Sequence, residues 1–146
     1  MPQNYDFEQH LYQSYDRYKE NSLTHRRFKH SDITPLIDKL KHPKGFTVKV
    51  VGKSVEGREL KLITIGKGKT KIFMWSQMHG DEPTATAALC DIFNYVNEPA
   101  NKEFCSALFD RVTLYFLPMV NPDGAERFKR RNFYDIDLNR DASRLQ

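Results

Sequence analysis

Ile72-Phe73-Met74-Trp75-Ser76-Gln77-Met78-His79-Gly80-Asp81-Glu82-Pro83 is the stretch on which the fold turns. It opens on a short apolar run without alternation, the pattern of a strand covered on both faces. It closes on a proline, which suits the first turn of a helix. Ala85, Ala88, Leu89, Ile92 and Val96 then follow helical spacing to Asn97, and Pro99 stops it. Val112 to Val120 reads as a second strand covered on both faces. A strand–helix–strand unit of this kind implies a right-handed crossover in a largely parallel sheet. In open α/β sheets the ligand site lies beyond the carboxyl ends of the strands. His79 follows one strand there, and Asn121-Pro122-Asp123-Gly124 follows the other.

Upstream, residues 46–53 and 59–66 are β-rich runs joined by Ser54-Val55-Glu56-Gly57-Arg58, which predicts a hairpin. Gly66-Lys67-Gly68-Lys69 reads as a turn, because it lacks the spacing of a phosphate loop. Ser31-Asp32 caps a short helix through Leu40, ended by His42-Pro43 and Gly45. Leu11, Tyr12, Tyr15 and Tyr18 form one face of a surface helix nearer the start. The organisation expected is an N-terminal helical extension over residues 1–45 and an α/β body over residues 46–146.

Composition narrows the function classes. A chain of 146 residues is one domain or part of a larger one, and 29% charged residues fit a soluble protein. No apolar stretch is long enough to span a bilayer. Met1-Pro2-Gln3-Asn4-Tyr5-Asp6 lacks a basic start followed by an apolar run, so no signal peptide is expected. The chain then stays in the cytoplasm, or its signal was removed before this numbering begins. The net charge is +4, and the basic clusters at residues 25–30, 67–71 and 127–131 lack the interleaved aromatics of a nucleic-acid module. They read as solvated faces, so neither nucleic acid nor membrane is an expected partner. Two cysteines, Cys90 and Cys105, do not make a disulfide framework, and Cys90 reads as a buried thiol.

Two constellations carry chemistry. His79 and Glu82 offer an imidazole and a carboxylate three residues apart, donors that zinc accepts. Taken alone they also read as a loop histidine and a carboxylate favoured at a helix start. Asp137-Leu138-Asn139-Arg140 offers an amide beside a guanidinium, the pairing that grips a carboxylate through charge-assisted hydrogen bonds. Alone it reads as a polar loop, and Arg130-Arg131 just upstream as a basic one.

In combination, four stretches resemble the zinc metallocarboxypeptidase family, in particular its shorter bacterial branch. Gly52-Lys53-Ser54-Val55-Glu56-Gly57-Arg58 is similar to its hairpin signature, and His79-Gly80-Asp81-Glu82 to its zinc motif. Asn121-Pro122-Asp123-Gly124 resembles its post-strand turn. Arg130-Arg131-Asn132 with Ile136-Asp137-Leu138-Asn139-Arg140 resembles its substrate-anchoring segment. The resemblance implies roles. His79 and Glu82 are two of three ligands to one zinc ion, and Asp137 fixes the tautomer of His79 from the other ring nitrogen. Arg130 polarises the scissile carbonyl, and a one-residue shift would hand that role to Arg131. Asn139 and Arg140 grip the terminal carboxylate of a peptide or cell-wall peptide.

The chain also departs from the family. No histidine follows His79, whereas the family places a third ligand and a glutamate base well after the Asn-Arg pair. The fold implied is therefore an incomplete mixed, largely parallel sheet of about four strands. The function implied is hydrolysis of a C-terminal peptide bond, with this chain carrying part of the active site. Two other readings stay open. One is a zinc amidoacylase similar to succinylglutamate desuccinylase and aspartoacylase, and the other is a non-catalytic half-domain that binds carboxylates.

Overall fold

A computed structural model describes residues 7–40 and 45–141. Its strands are β1 (Thr47–Lys53), β2 (Glu59–Gly66), β3 (Thr70–Trp75) and β4 (Val112–Leu117). Its helices are α1 (Phe7–Ser14), α2 (His30–Lys39), α3 (Thr84–Asn97), α4 (Lys102–Arg111) and two short ones, α5 (Pro122–Glu126) and α6 (Leu138–Asp141). The sheet order is β1-β2-β4-β3. β1 pairs with β2 and β2 with β4 antiparallel, while β3 and β4 run parallel. The expected mixed sheet is present, but only its β3–β4 pair is parallel.

The hairpin forms where the two β-rich runs and the turn residues between them place it. Ser54 N donates to Arg58 O at 2.8 Å, Gly57 N donates to Ser54 O at 3.0 Å, and Gly57 takes the left-handed φ of 81°. An irregularity between Val50 and Gly52 lets β1 place one extra residue against β2. On β2, Lys61, Ile63 and Ile65 are buried, as a period of two requires. Lys61 can be buried because its ammonium reaches Asp38 Oδ1 of α2 at 2.8 Å. Ile63 and Phe116 meet Leu89 and Phe93 of α3, and Ile33 and Ile37 of α2 join the same core.

Some expectations need correction. β3 is not covered on both faces: Ile72, Phe73 and Trp75 are 40–52% exposed. Among the described residues β3 pairs only with β4, so it is an edge strand. The buried face of α3 is Thr86, Leu89, Cys90 and Phe93, while Ile92 is 40% exposed. α2 starts earlier than Ser31, at His30. Asp32 still satisfies its first turn, because Oδ2 accepts Lys29 N at 2.7 Å. Tyr12 does not share a packed face with its neighbours and is 85% exposed, whereas Tyr18 is buried. The His42-Pro43 helix stop lies outside the described residues. Cys90 is a buried thiol, and burial pushes its pKa up to about 12.

Candidate metal and carboxylate centre

Because β3 and β4 are parallel, both run out at the same end of the sheet, and the chain segments after them pair. Val120 N donates to Ser76 O at 2.9 Å and Asn121 N to Gln77 O at 3.1 Å. Gln77 and Met119 both hold left-handed backbone, φ 51° and 53°, a strained state for non-glycine residues that surrounding structure must hold in place. Gln77 is held by its own amide. Nε2 donates to Gly80 O at 2.9 Å, and Oε1 accepts from Thr86 Oγ1 at 2.9 Å. Ser76 Oγ lies 2.8 Å from the same threonine hydroxyl. Sequence reading missed Ser76, Gln77 and Thr86. Three polar residues all under 5% exposed are a signal of positioning that only burial reveals.

The turn after β3 is then pressed against the turn after β4. A Cβ on Gly80 would lie 2.0 Å from the Gly124 carbonyl carbon, so only glycine fits. Asn121 organises the partner turn, with Oδ1 accepting Gly124 N at 2.9 Å and Nδ2 donating to Arg130 O at 3.3 Å. Gly80 N donates to that same carbonyl at 3.4 Å.

This frame brings His79, Glu82, Arg130 and Asp137 together. His79 is buried, with Nδ1 3.0 Å from Glu82 Oε2 and Nε2 2.9 Å from Asp137 Oδ1. Arg130 bridges both carboxylates: its Nε donates to Asp137 Oδ2 at 3.1 Å and a terminal nitrogen to Glu82 Oε1 at 2.9 Å. Arg131 turns away and donates to the Asp135 carbonyl at 2.9 Å. Asp137 also starts α6, since Oδ1 accepts Asn139 N at 3.0 Å and its carbonyl accepts Arg140 N at 2.9 Å. The side chains of Asn139 and Arg140 are exposed beside it.

The electrostatics follow from this packing. Burial opposes a charged imidazole at His79, but the hydrogen bonds to Glu82 and Asp137 outweigh it and raise the pKa. The His79 bond, helped by the nearby Arg130 charge, lowers the pKa of Glu82. The same bond to His79, with the Asn139 amide and Arg130, holds Asp137 at about 2. Both carboxylates are therefore ionised at neutral pH, and the Arg130 guanidinium is the counter-charge they share.

A second polar cluster lies behind this centre. Asp123, 2% exposed, accepts from Ser54 Oγ at 2.7 Å, Arg58 at 2.6 Å and Glu56 N at 3.2 Å. Glu56 in turn takes hydrogen bonds from Arg127 and Arg58, which hold its pKa at about 2 against an ordinary 4.5. A carboxylate with a lowered folded pKa stabilises fully above its unfolded pKa and loses that contribution as pH falls through the folded one. Acid titration of urea unfolding should show stability falling between about pH 4.5 and 2. Glu56→Gln should flatten that fall, and an unchanged profile would mean the cluster adds nothing.

Fold and geometry thus define a mixed-sheet α/β protein whose polar centre sits past the ends of its parallel strands. The sequence profile of the zinc carboxypeptidase family matches residues 33–143, and the chain belongs to that family. Carboxypeptidase SOL1 of Arabidopsis thaliana is 34% identical over 98 residues, 62% of this chain and 20% of that protein. Carboxypeptidase B of Astacus astacus is 33% identical over 101 residues, 65% of this chain and 32% of that protein. The chain therefore spans about a fifth to a third of these relatives. A metallo-carboxypeptidase from Burkholderia cenocepacia superposes with a TM-score of 0.71 at 25% identity, covering 80% of this chain and 33% of that one. The family's metal is zinc. Among the described residues no helix is long and apolar enough to cross a membrane.

Proposed function

We propose that this chain supplies part of the centre of a zinc-dependent carboxypeptidase, which hydrolyses the C-terminal bond of a peptide or cell-wall peptide. The observation that carries the reading is the position of His79, between Glu82 and Asp137 with Arg130 reaching both carboxylates. His79 Nδ1 and Glu82 Oε2 are donors of the kind zinc takes, and they face each other at 3.0 Å. Asp137 is committed to the far ring nitrogen, which leaves Nδ1, on the Glu82 side, as the nitrogen a metal would take. The fit extends to two ligands. Among the described residues no group of three His, Cys, Asp or Glu could hold a metal. Zinc bound there would supply the Lewis acidity that polarises a carbonyl and activates water. Arg130 brings a fixed positive charge for oxyanion stabilisation, and Asn139 and Arg140 hold the substrate's terminal carboxylate.

Zinc titration of the purified chain tests the metal half. His79→Ala or Glu82→Ala should weaken zinc binding by about tenfold or more, because each removes a direct ligand. Equal affinity in both variants would place any zinc elsewhere. The carboxylate half is tested by NMR titration with a blocked dipeptide and with its C-terminal amide. Only the acid should shift the Asn139 and Arg140 signals, and Arg140→Ala should abolish the shift. An amide that binds as well as the acid would sink the carboxylate reading. Catalytic zinc sites use about three protein ligands. Residues 1–146 alone should therefore show no steady hydrolysis of the blocked dipeptide, and measurable turnover would overturn that expectation.

A further inference from the structure

The turn of residues 121–124 touches the centre described above through Asn121 and Gly124, and the hairpin turn of residues 54–58 reaches it only through Asp123. We propose that the pair formed by the buried Asp123 and the half-buried Arg58 is a positioning device, which sets Arg130 through the backbone. Each link in the chain of contacts is short. Asp123 is fixed from the hairpin by Ser54 Oγ, Glu56 N and Arg58 at 2.7, 3.2 and 2.6 Å. From the other side, Arg127 donates to the Asp123 carbonyl at 3.0 Å, and the Gly124 carbonyl accepts Lys129 N at 2.9 Å. The turn so fixed carries Asn121, whose amide meets the Arg130 carbonyl, and Gly124, against which Gly80 is packed. Gly80 N donates to the same Arg130 carbonyl. The backbone of Arg130 is therefore held by two turns, and one of them is anchored in the hairpin.

The arrangement matters because the Arg130 side chain is 42% exposed. A flexible cation in water loses much of its directional value unless its backbone and neighbours restrict it, and supporting contacts of this kind decide whether a site is held to within about 0.5 Å. Asp123 touches neither His79 nor Glu82 nor any reacting atom, so it positions and does not catalyse. An aspartate 2% exposed is costly to bury unless its charged and hydrogen-bonding partners are kept too. Its value for a reaction rests on the reading of Arg130 given above, but its effect on Arg130 does not, and the two can fail separately.

The test is hydrogen exchange by NMR on the metal-free full chain without substrate. It compares the Arg130 Nε–H, which donates to Asp137, with the backbone amide of Phe116 in the centre of the sheet. Asp123→Asn keeps the shape and one acceptor but loses the charge that pairs with Arg58. The expected result is exchange of Arg130 Nε–H faster by about tenfold with the Phe116 amide unchanged, as local opening predicts. Arg58→Lys, which keeps the charge, should retain part of the protection. Unchanged Arg130 exchange in Asp123→Asn would overturn the proposal. So would an equal acceleration at Arg130 and Phe116, since that would mean only a general loss of stability. If Asp123→Asn fails to fold, Ser54→Ala removes one of the three anchors and is read in the same three ways. Zinc and peptide play no part in this measurement, so a chain that fails as a carboxypeptidase can still pass it.

Discussion

Gly80→Ala should destabilise the chain by about 3 kcal/mol or more, at the upper end of what overpacking costs. The added methyl would lie 2.0 Å from the Gly124 carbonyl carbon, 2.3 Å from Ala125 N and 2.5 Å from the Gly124 carbonyl oxygen. All three are backbone atoms, so no rotamer change relieves the clash. Relief requires the 121–125 turn to move, and that turn is held by Asn121 within it and by Asp123 to the hairpin. Gly57→Ala is the control. A Cβ there meets nothing within 4 Å, and only its φ of 81° opposes the change, at about 1 kcal/mol. Urea unfolding of both variants measures the difference. A Gly80→Ala midpoint no lower than that of Gly57→Ala would mean the two turns are not in rigid contact.

Phe116→Ala should cost about 3–5 kcal/mol. Phe116 is 1% exposed at the centre of β4, and its ring meets Phe93 edge-on at 5.2 Å between centroids. It joins the sheet to α3, and Ile63 beside it is fully buried. The cavity left behind lies between the sheet and α3, and the buried Ile63, Leu89 and Phe93 around it limit how far it can collapse. Domains of this size have about 5–15 kcal/mol of net stability, so the loss takes a large share. A denaturation midpoint within experimental error of the parent would mean that the core does not close over this ring.

The hairpin was legible because two β-rich runs joined by the Ser54–Arg58 turn are local signals, and so was the helix after Pro83. The exposure of β3 was not. An apolar run such as Ile72-Phe73-Met74 is the same whether neighbours cover it or not, and the difference lies in strand order. The face of α3 was misjudged for a related reason. Ala85, Ala88 and Ile92 keep helical spacing, but Thr86 faces inward because Ser76 and Gln77 bond its hydroxyl. At the centre, His79 and Glu82 are three residues apart and readable together. The approach of Asp137, and the turning away of Arg131 while Arg130 turns in, depend on folding over a separation of 58 residues between His79 and Asp137. The resemblance anticipated that approach, and periodicity could not. Asp123 and Ser54 were quoted as parts of separate motifs, yet they are hydrogen-bonded to each other across 69 residues.

Those separations set an order of events when the chain folds. The β1–β2 hairpin closes a short loop and can form on the microsecond scale, about 1–10 μs for hairpins in general. The Arg58–Asp123 contact closes 65 residues, and it cannot be made until β4 has found its place between β2 and β3. Contacts of such range cost chain entropy before they return any bonding. The centre, whose own His79–Asp137 contact closes 58 residues, is therefore expected to assemble after the hairpin. Until it does, Glu82 and Arg130 are ordinary surface charges that happen to share a chain.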